Sequence, residues 1–306
     1  TISTVTNGGA WTACTHIVKY GLNFDFGFAA FVSDTLAPTS SLEFGSGVGA
    51  YASWFHWAGS APALGVEPQA MGSAAFSDQP GGWPRQLAVD FFGSDDPRVG
   101  RCATALGTFD LVYSIEVAEH IPRSLHSRFV ELLTAKLSAR GFLVFSAAAP
   151  RQKGIGHIAN RPRQEWQQEF TGRGLTYLPE LTGMLRQESS DANHRRNCMV
   201  FGRVGEQDVG SRAALALARA QKREAAARRR NSTSCLAREQ STTARIPAGV
   251  GNSAYQGREV RATVVGTKVV PWMSKLARGE AQLWPELVMQ SSRRCFCCRA
   301  PWDANF

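Results

Sequence analysis

Ser41-Leu42-Glu43-Phe44-Gly45-Ser46-Gly47-Val48-Gly49 reads as a buried strand that ends in a tight glycine turn and opens into a helix. Three alternate glycines remove side chains where a ligand would press against the backbone, and the amides of a helix start attract polar ligand groups. Glu43 lies on the strand, two positions before the first glycine. The turn Gly45-x-Gly47-x-x-Ala50 also satisfies the loose dinucleotide pattern G-x-G-x-x-G/A.

Upstream, Phe24, Phe26, Phe28, Phe31 and Val32 crowd a segment that ends at Pro38. A helix is expected over 27–36, packed above the mouth of the sheet, with 23–27 helping to close a ligand pocket. Downstream, Tyr51, Trp54, Phe55 and Trp57 predict a buried helix up to Trp57. Strand two, 63–67, ends on Glu67, at about the 20-residue spacing where nucleotide-cradling βαβ units place a ribose-binding acid. A Gly/Ser/Pro-rich loop with a short helix follows at 68–83. Strand three, 86–90, closes on Asp90, and a loop is expected over 93–108. Strand four, 108–114, runs into Ile115-Glu116-Val117-Ala118-Glu119-His120-Ile121-Pro122. Phe129, Leu132, Leu133 and Leu137 recur at helical spacing and predict a helix over 124–139, with Gly141 as its C-cap. Strand five at 142–146, a helix at 162–172, strand six at 175–178, a helix at 180–187 and strand seven at 198–204 complete the series. This alternation predicts a doubly wound α/β sheet.

The chain has 306 residues and a formal net charge of +9, but the charge is unevenly placed. Residues 206–306 hold 17 Lys and Arg against 8 Asp and Glu; residues 1–205 hold 17 of each. The whole excess therefore belongs to the C-terminal third and says nothing about the glycine turn. Three divisions are expected: an N-terminal extension at 1–19, a folded domain at 20–205, and a basic, largely disordered tail at 206–306. Within that tail, 211–230 has the composition of an exposed helix. The tail's charge would attract nucleic acid or an acidic membrane. Seven cysteines, an odd number without paired zinc spacing, fit reduced thiols, and the lone Cys295-Phe296-Cys297-Cys298 is a weak metal motif. No run approaches the roughly 20 apolar residues of a membrane span. A cytoplasmic location is expected, although a chain starting at Thr1 leaves targeting open. Oligomeric state is not legible.

Two stretches together, Glu43 with its glycines and the F-D-L-V…E-V-x-E-H-I-P segment at 109–122, resemble the class I S-adenosylmethionine (SAM) methyltransferases, in particular type 11/12 methyltransferase domains. The resemblance spans about residues 20–204. It implies a Rossmann-like sheet of seven strands in the order 3-2-1-4-5-7-6, with strand seven antiparallel and the ligand outside the carboxyl ends of strands one and four. It implies SAM contacts from Glu43, Gly45, Gly47, Gly49, Glu67, Asp90, Ser114 and Ile115. Glu43 would face the amino-acid part, Glu67 the ribose hydroxyls and Asp90 the adenine amino group. Glu43 has no standard role in dinucleotide binding and so favours SAM over a nicotinamide cofactor.

Glu116, Glu119 and His120 are spaced i, i+3, i+4, which on a helical turn gives one face. With His157, from the Gly154–Ile158 loop, they resemble the metal sites of the ubiquinone-pathway O-methyltransferases and of the small-RNA 3′-terminal 2′-O-methyltransferases. That resemblance implies Mg2+ or Mn2+ on Glu116, Glu119, His120 and His157. Without metal, His120 or His157 is the candidate general base. Gly156-His157-Ile158-x-Asn160-Arg161-Pro162…Trp166 also resembles methyltransferases found with bacterial glycan-modifying genes. The expected activity is methyl transfer to a hydroxyl of a small molecule or glycan. The alternatives are an RNA 2′-O-methyltransferase using the basic tail, a nicotinamide-dependent oxidoreductase and a non-catalytic SAM-fold interaction module.

Overall fold

The computed structural model describes residues 24–47, 49–68, 85–87, 89, 91, 97–203, 213–223 and 225, and two short strands at 243–245 and 259–261. The expected N-terminal extension, the loop at 68–83, Asp90, the Cys295–Cys298 motif and the expected disorder of most of the tail lie outside the described residues.

Seven strands form one sheet: β1 (Ser41–Phe44), β2 (Ala63–Val66), β3 (Arg85–Leu87), β4 (Phe109–Ile115), β5 (Leu137–Ser146), β6 (Leu175–Tyr177) and β7 (Met199–Arg203). Their order is β3-β2-β1-β4-β5-β7-β6. β1 lies parallel between β2 and β4, whereas β7 runs antiparallel to both β5 and β6. This is the sheet implied by the sequence resemblance. A parallel sheet needs both faces covered, so its strands are apolar on both sides. The alternation within β4 and β5 divides the core accordingly. Val112, Leu143 and Phe145 join Leu42, Phe44, Phe129, Leu133, Trp166 and Phe201 on one face. Leu111, Tyr113 and Val144 join Phe28, Phe31, Phe55 and Val200 on the other.

The first face is covered by α4 (His126–Ala135) and α5 (Arg163–Thr171), among others. The second is covered by α1 (Phe26–Phe31, continuing as a π-helical turn, Val32–Leu36), α2 (Ala50–Trp57) and α6 (Pro179–Glu188). α3 (Pro97–Ala105) replaces the loop expected over 93–108. Val99, Cys102 and Ala103, with Leu106 just after it, give a single apolar period that packs on the core, short and interrupted by Gly100 and two arginines. α4 is shorter than the expected 124–139, because Leu137 begins β5 and pairs with Phe109. Gly141 is consequently no helix cap. It lies inside β5, where a Cβ would crowd Leu137 and approach the Phe109 carbonyl oxygen at 3.0 Å. A short helix, α7 (Ala192–Asn197), had no counterpart in the sequence reading; Asp191 caps it by accepting from the Asn193 and His194 amides.

Residues 213–223 form helix α8, inside the stretch where an exposed helix was expected. It is not exposed throughout: Ala216 and Ala220 are buried against the cluster of Phe28 and Phe31. Arg223 reaches Asp34, at 2.6 Å, and the Ala30 carbonyl. Packed structure thus continues beyond residue 205. Further on, Thr243–Arg245 pairs antiparallel with Glu259–Arg261. Among the described residues, no helix is long and apolar enough to cross a membrane.

α1 and α6 approach most closely at Gly27, where a Cβ would fall on the Glu188 carbonyl. Gly27→Ala should therefore force the two helices apart and destabilise the fold by about 1–3 kcal/mol, the usual cost of overpacking. Urea denaturation of both proteins, compared at their midpoints, checks this.

Candidate active site

The glycine turn after β1 depends on backbone conformations that side chains disfavour. Gly45, Gly47 and Gly49 have φ of 78°, 52° and 77°. At Gly45 a Cβ would also fall on the side chain of Val117, just past β4, so the turn and the β4 end are packed together. The Gly45 and Ser46 amides donate to the Val66 carbonyl at 2.8 and 3.0 Å, stitching the turn to the end of β2. Glu67 follows directly and is buried. Its Oε2 accepts from the Gly47 amide at 2.9 Å. The acid expected at the ribose therefore lies within the glycine turn.

Glu43 is 4% exposed, on the central strand. Its Oε2 accepts from the Ala52 amide at 3.2 Å and from the Tyr113 hydroxyl at 3.1 Å. One carboxylate thereby ties β1 to the first turn of α2 and to β4. Burial pushes its pKa up to about 8, with the Glu67 charge adding to the shift and the two hydrogen bonds opposing it.

Ser114, expected at the cofactor, is fully buried and donates to the Phe44 carbonyl at 2.9 Å, clamping β4 to the last residue of β1. Ile115 packs against the Phe28 face of the core. Asp90 lies outside the described residues.

Past β4 the structure separates residues that helical spacing would have grouped. Glu116 has φ of 53°, a left-handed conformation that costs a non-glycine residue about 1–2 kcal/mol. Only Ala118–His120 form a 3-10 turn. Glu116 is therefore outside the turn, and its carboxylate accepts from Gln152 Nε2 and Asn197 Nδ2, each at 3.1 Å. Asn193 Oδ1 accepts from the same Gln152. Gln152, Asn193 and Asn197 belong to a network that sequence reading missed; only the Asp191 helix cap marks the neighbourhood of the two asparagines.

The remaining three come together: Glu119, His120 and His157 place one ligand atom each within 4.8 Å of one another. Two chain segments make this cluster, since the Ile158 and Ala159 amides donate to the Glu119 carbonyl at 2.9 and 3.1 Å. Gly154 leaves the space that the His157 ring occupies. His120 Nδ1 donates to the Gly156 carbonyl at 2.9 Å, and His157 Nδ1 donates to the Gln152 carbonyl at 3.1 Å. Both rings are thus held by the hydrogen bond that typically orients a metal-ligating histidine, with the lone pair on Nε2. Burial lowers the His120 pKa to about 4, opposed by the Gly156 hydrogen bond and helped by His157, so the ring is neutral at pH 7. Glu119 is completely buried, and neither carboxylate oxygen has a well-formed hydrogen bond among the described residues, although the Glu119 and Ala148 amides lie close enough to oppose its pKa shift. His157 Nε2 stands 3.8 Å from its Oε1. Burial, then the Glu116 charge, raises the Glu119 pKa well above the ordinary carboxylate value. Two oriented imidazoles and an orphaned carboxylate fit a divalent cation; Glu116, held by Gln152 and Asn197, is not part of that set.

A raised carboxyl pKa in the folded state means that the fold holds a proton which the unfolded chain has released. Glu43 therefore costs stability progressively between about pH 4.5 and about pH 8 and no more above that. Glu43→Gln keeps an oxygen for Ala52 and Tyr113 but has no proton to lose. Its unfolding free energy should gain on that of the natural sequence as pH rises through this window, measured by urea denaturation from pH 5 to 8.5.

No protein-family model and no curated protein matches this sequence. Among solved structures, the chain is similar to the O-methyltransferase of a trans-AT PKS multienzyme from Brevibacillus brevis in complex with S-adenosyl-L-homocysteine (SAH). The TM-score is 0.43 and the identity 13%, over 74% of this chain and 93% of that one. N-methyltransferase NodS from Bradyrhizobium japonicum, also with SAH, has a TM-score of 0.42 and 15% identity over 61% of this chain and 93% of that one. PKMT2 from Rickettsia typhi has a TM-score of 0.45 and 11% identity over 59% of this chain; the chain spans 54% of that protein's length.

Proposed function

We propose that the chain is a SAM-dependent methyltransferase acting on a hydroxyl of a small molecule or glycan. The observation that carries the reading is the pair of buried carboxylates around one glycine turn, Glu43 on β1 and Glu67 after β2. Glu67, beside the Gly47 amide, would bind the ribose, because a carboxylate accepts from two hydroxyls at once. Glu43 fits the methyltransferase reading and has no part in a nicotinamide site. When bound, SAM supplies a methyl group activated on a cationic sulphur. The chain's own share is alignment. The turn admits a ligand against bare backbone, Glu43 fixes the turn to α2 and β4, and Ser114 fixes the end of β4 beside it. The resemblance assigns the adenine amino group to Asp90.

On the acceptor side, Glu119, His120 and His157 would hold a divalent cation that binds neighbouring hydroxyls and eases loss of their protons. Two nitrogens and one oxygen suit Mn2+ or another first-row metal better than Mg2+, which prefers all-oxygen sites. The basic excess of residues 206–306 supports a second acceptor class, an RNA ribose, which presents the same adjacent hydroxyls.

Calorimetric titration of the full chain with SAM should give saturable binding. Glu67→Ala should weaken it by about 10- to 100-fold, the loss of one or two charge-assisted hydrogen bonds. Binding of NAD+ in place of SAM would overturn the reading. Mn2+ titration followed by electron paramagnetic resonance should report one bound ion per chain in the natural sequence and none in His157→Ala; equal binding by both would remove the trio as the site.

A further inference from the structure

Asp25 and His194 meet at the same edge of the sheet from opposite ends of the domain. Asp25 is fully buried at the N-cap of α1. Its Oδ1 accepts from the Phe28 amide, the Ser190 amide and the Ser190 hydroxyl at 2.9, 2.9 and 3.0 Å. Its Oδ2 accepts from the Asp191 amide at 3.1 Å and from His194 Nδ1 at 2.9 Å. Burial alone would raise this carboxyl; the hydrogen bonds from His194, Phe28 and Ser190 outweigh it and hold the pKa at about 2. An ionised carboxylate only accepts, so His194 donates through Nδ1, and the neutral form of the ring has its lone pair on Nε2. The His194 amide is held in turn by Asp191 Oδ1 at 3.2 Å. Nε2 makes no hydrogen bond among the described residues, and the side chain retains 8% exposure.

The position of this ring follows from the topology. β7 is antiparallel, so its first residue, Met199, pairs with Phe145 near the carboxyl end of β5. α7, immediately before β7, therefore stands at the edge where the glycine turn and the β4 end lie. Asn193 and Asn197, on either side of His194 in that helix, join the Gln152–Glu116 network. On its other side the ring lies 6.3 Å from that of Tyr51, on the helix that leaves the glycine turn, and 5.3 Å from that of Phe28. The imidazole thus lies between the helix that leaves the glycine turn and the residues that reach the Gln152–Glu116 network.

We propose that His194, oriented by Asp25, is the proton acceptor for methyl transfer at this edge; the inference rests on the methyltransferase reading above. As the acceptor oxygen bonds to the methyl carbon, the carbon–sulphur bond breaks and its electron pair stays on sulphur. The hydroxyl proton passes to Nε2, and the imidazolium formed is balanced by the Asp25 carboxylate, the arrangement by which a buried acid serves a histidine base. His120 and His157 cannot both ligate a cation through Nε2 and take a proton there, which leaves this role to His194. The titratable groups facing His194 are Asp25 from the start of α1, Tyr51 from α2, and Asp191 and Cys198 at the two ends of α7.

The test reads the ring directly. In long-range proton–nitrogen spectra of the full chain with 15N-labelled histidine, His194 is assigned by loss of its signal in His194→Asn and again in His194→Gln. The neutral ring should carry its proton on Nδ1, and saturating SAH should shift the Nε2 resonance, because a base for this transfer must stand close to the reacting atoms. A neutral ring protonated on Nε2 overturns the inference, as does calorimetric SAH binding that leaves the His194 signals unmoved. Absence of calorimetric SAH binding overturns the methyltransferase reading, and this inference with it.

Discussion

A carboxylate on the central strand constrains much of the rest. β1 is buried along its whole length between two parallel neighbours, a position that calls for apolar side chains on both faces. Glu43 breaks that rule, and an unpaired carboxylate there would be costly. The cost is met by an amide from α2 and a hydroxyl from β4, so the three elements surrounding the glycine turn share one oxygen atom. The turn's left-handed glycines, the packing of Val117 on Gly45 and the return of Glu67 to the Gly47 amide all build on that fixed corner.

Strain is stored next to this rigid corner. Glu116 adopts a left-handed conformation at the end of β4 and is kept there by Gln152, Asn197 and Ser146, from three other parts of the chain. Its carboxylate is engaged by Gln152 and Asn197, while its charge helps to raise the pKa of the buried Glu119. A strained residue beside an unsatisfied buried acid is an arrangement that folding alone does not favour, and both features lie at the sheet edge where ligands of such folds bind.

The central strands were legible because each is a short apolar run closed by a turn residue or an acid; Glu43, the glycines and Glu67 carried their spacing openly. Local signals failed where one residue served two descriptions. Leu137 continues the apolar period of α4 yet begins β5, and Gly141 has the look of a helix cap while its small size serves a strand crossing Phe109. α7 lacks apolar periodicity, and α3 carries only one short apolar period, Val99, Cys102, Ala103 and Leu106, set among arginines and a glycine. In the site, the helical spacing of Glu116, Glu119 and His120 suggested a shared face that a single positive φ abolishes. Asp25 and His194 could not be paired from sequence, since nothing in either segment refers to the other.

The same separation orders the assembly of the molecule in time. Asp25 is made long before most of its partners, since apart from the Phe28 amide they belong to Ser190, Asp191 and His194, which follow six of the seven strands of the sheet. Until those residues are made, the carboxylate has only the Phe28 amide of its own helix, and closing so long a loop carries an entropic cost. The contacts of Asp25 with Ser190, Asp191 and His194 are therefore among the last that the growing chain can complete.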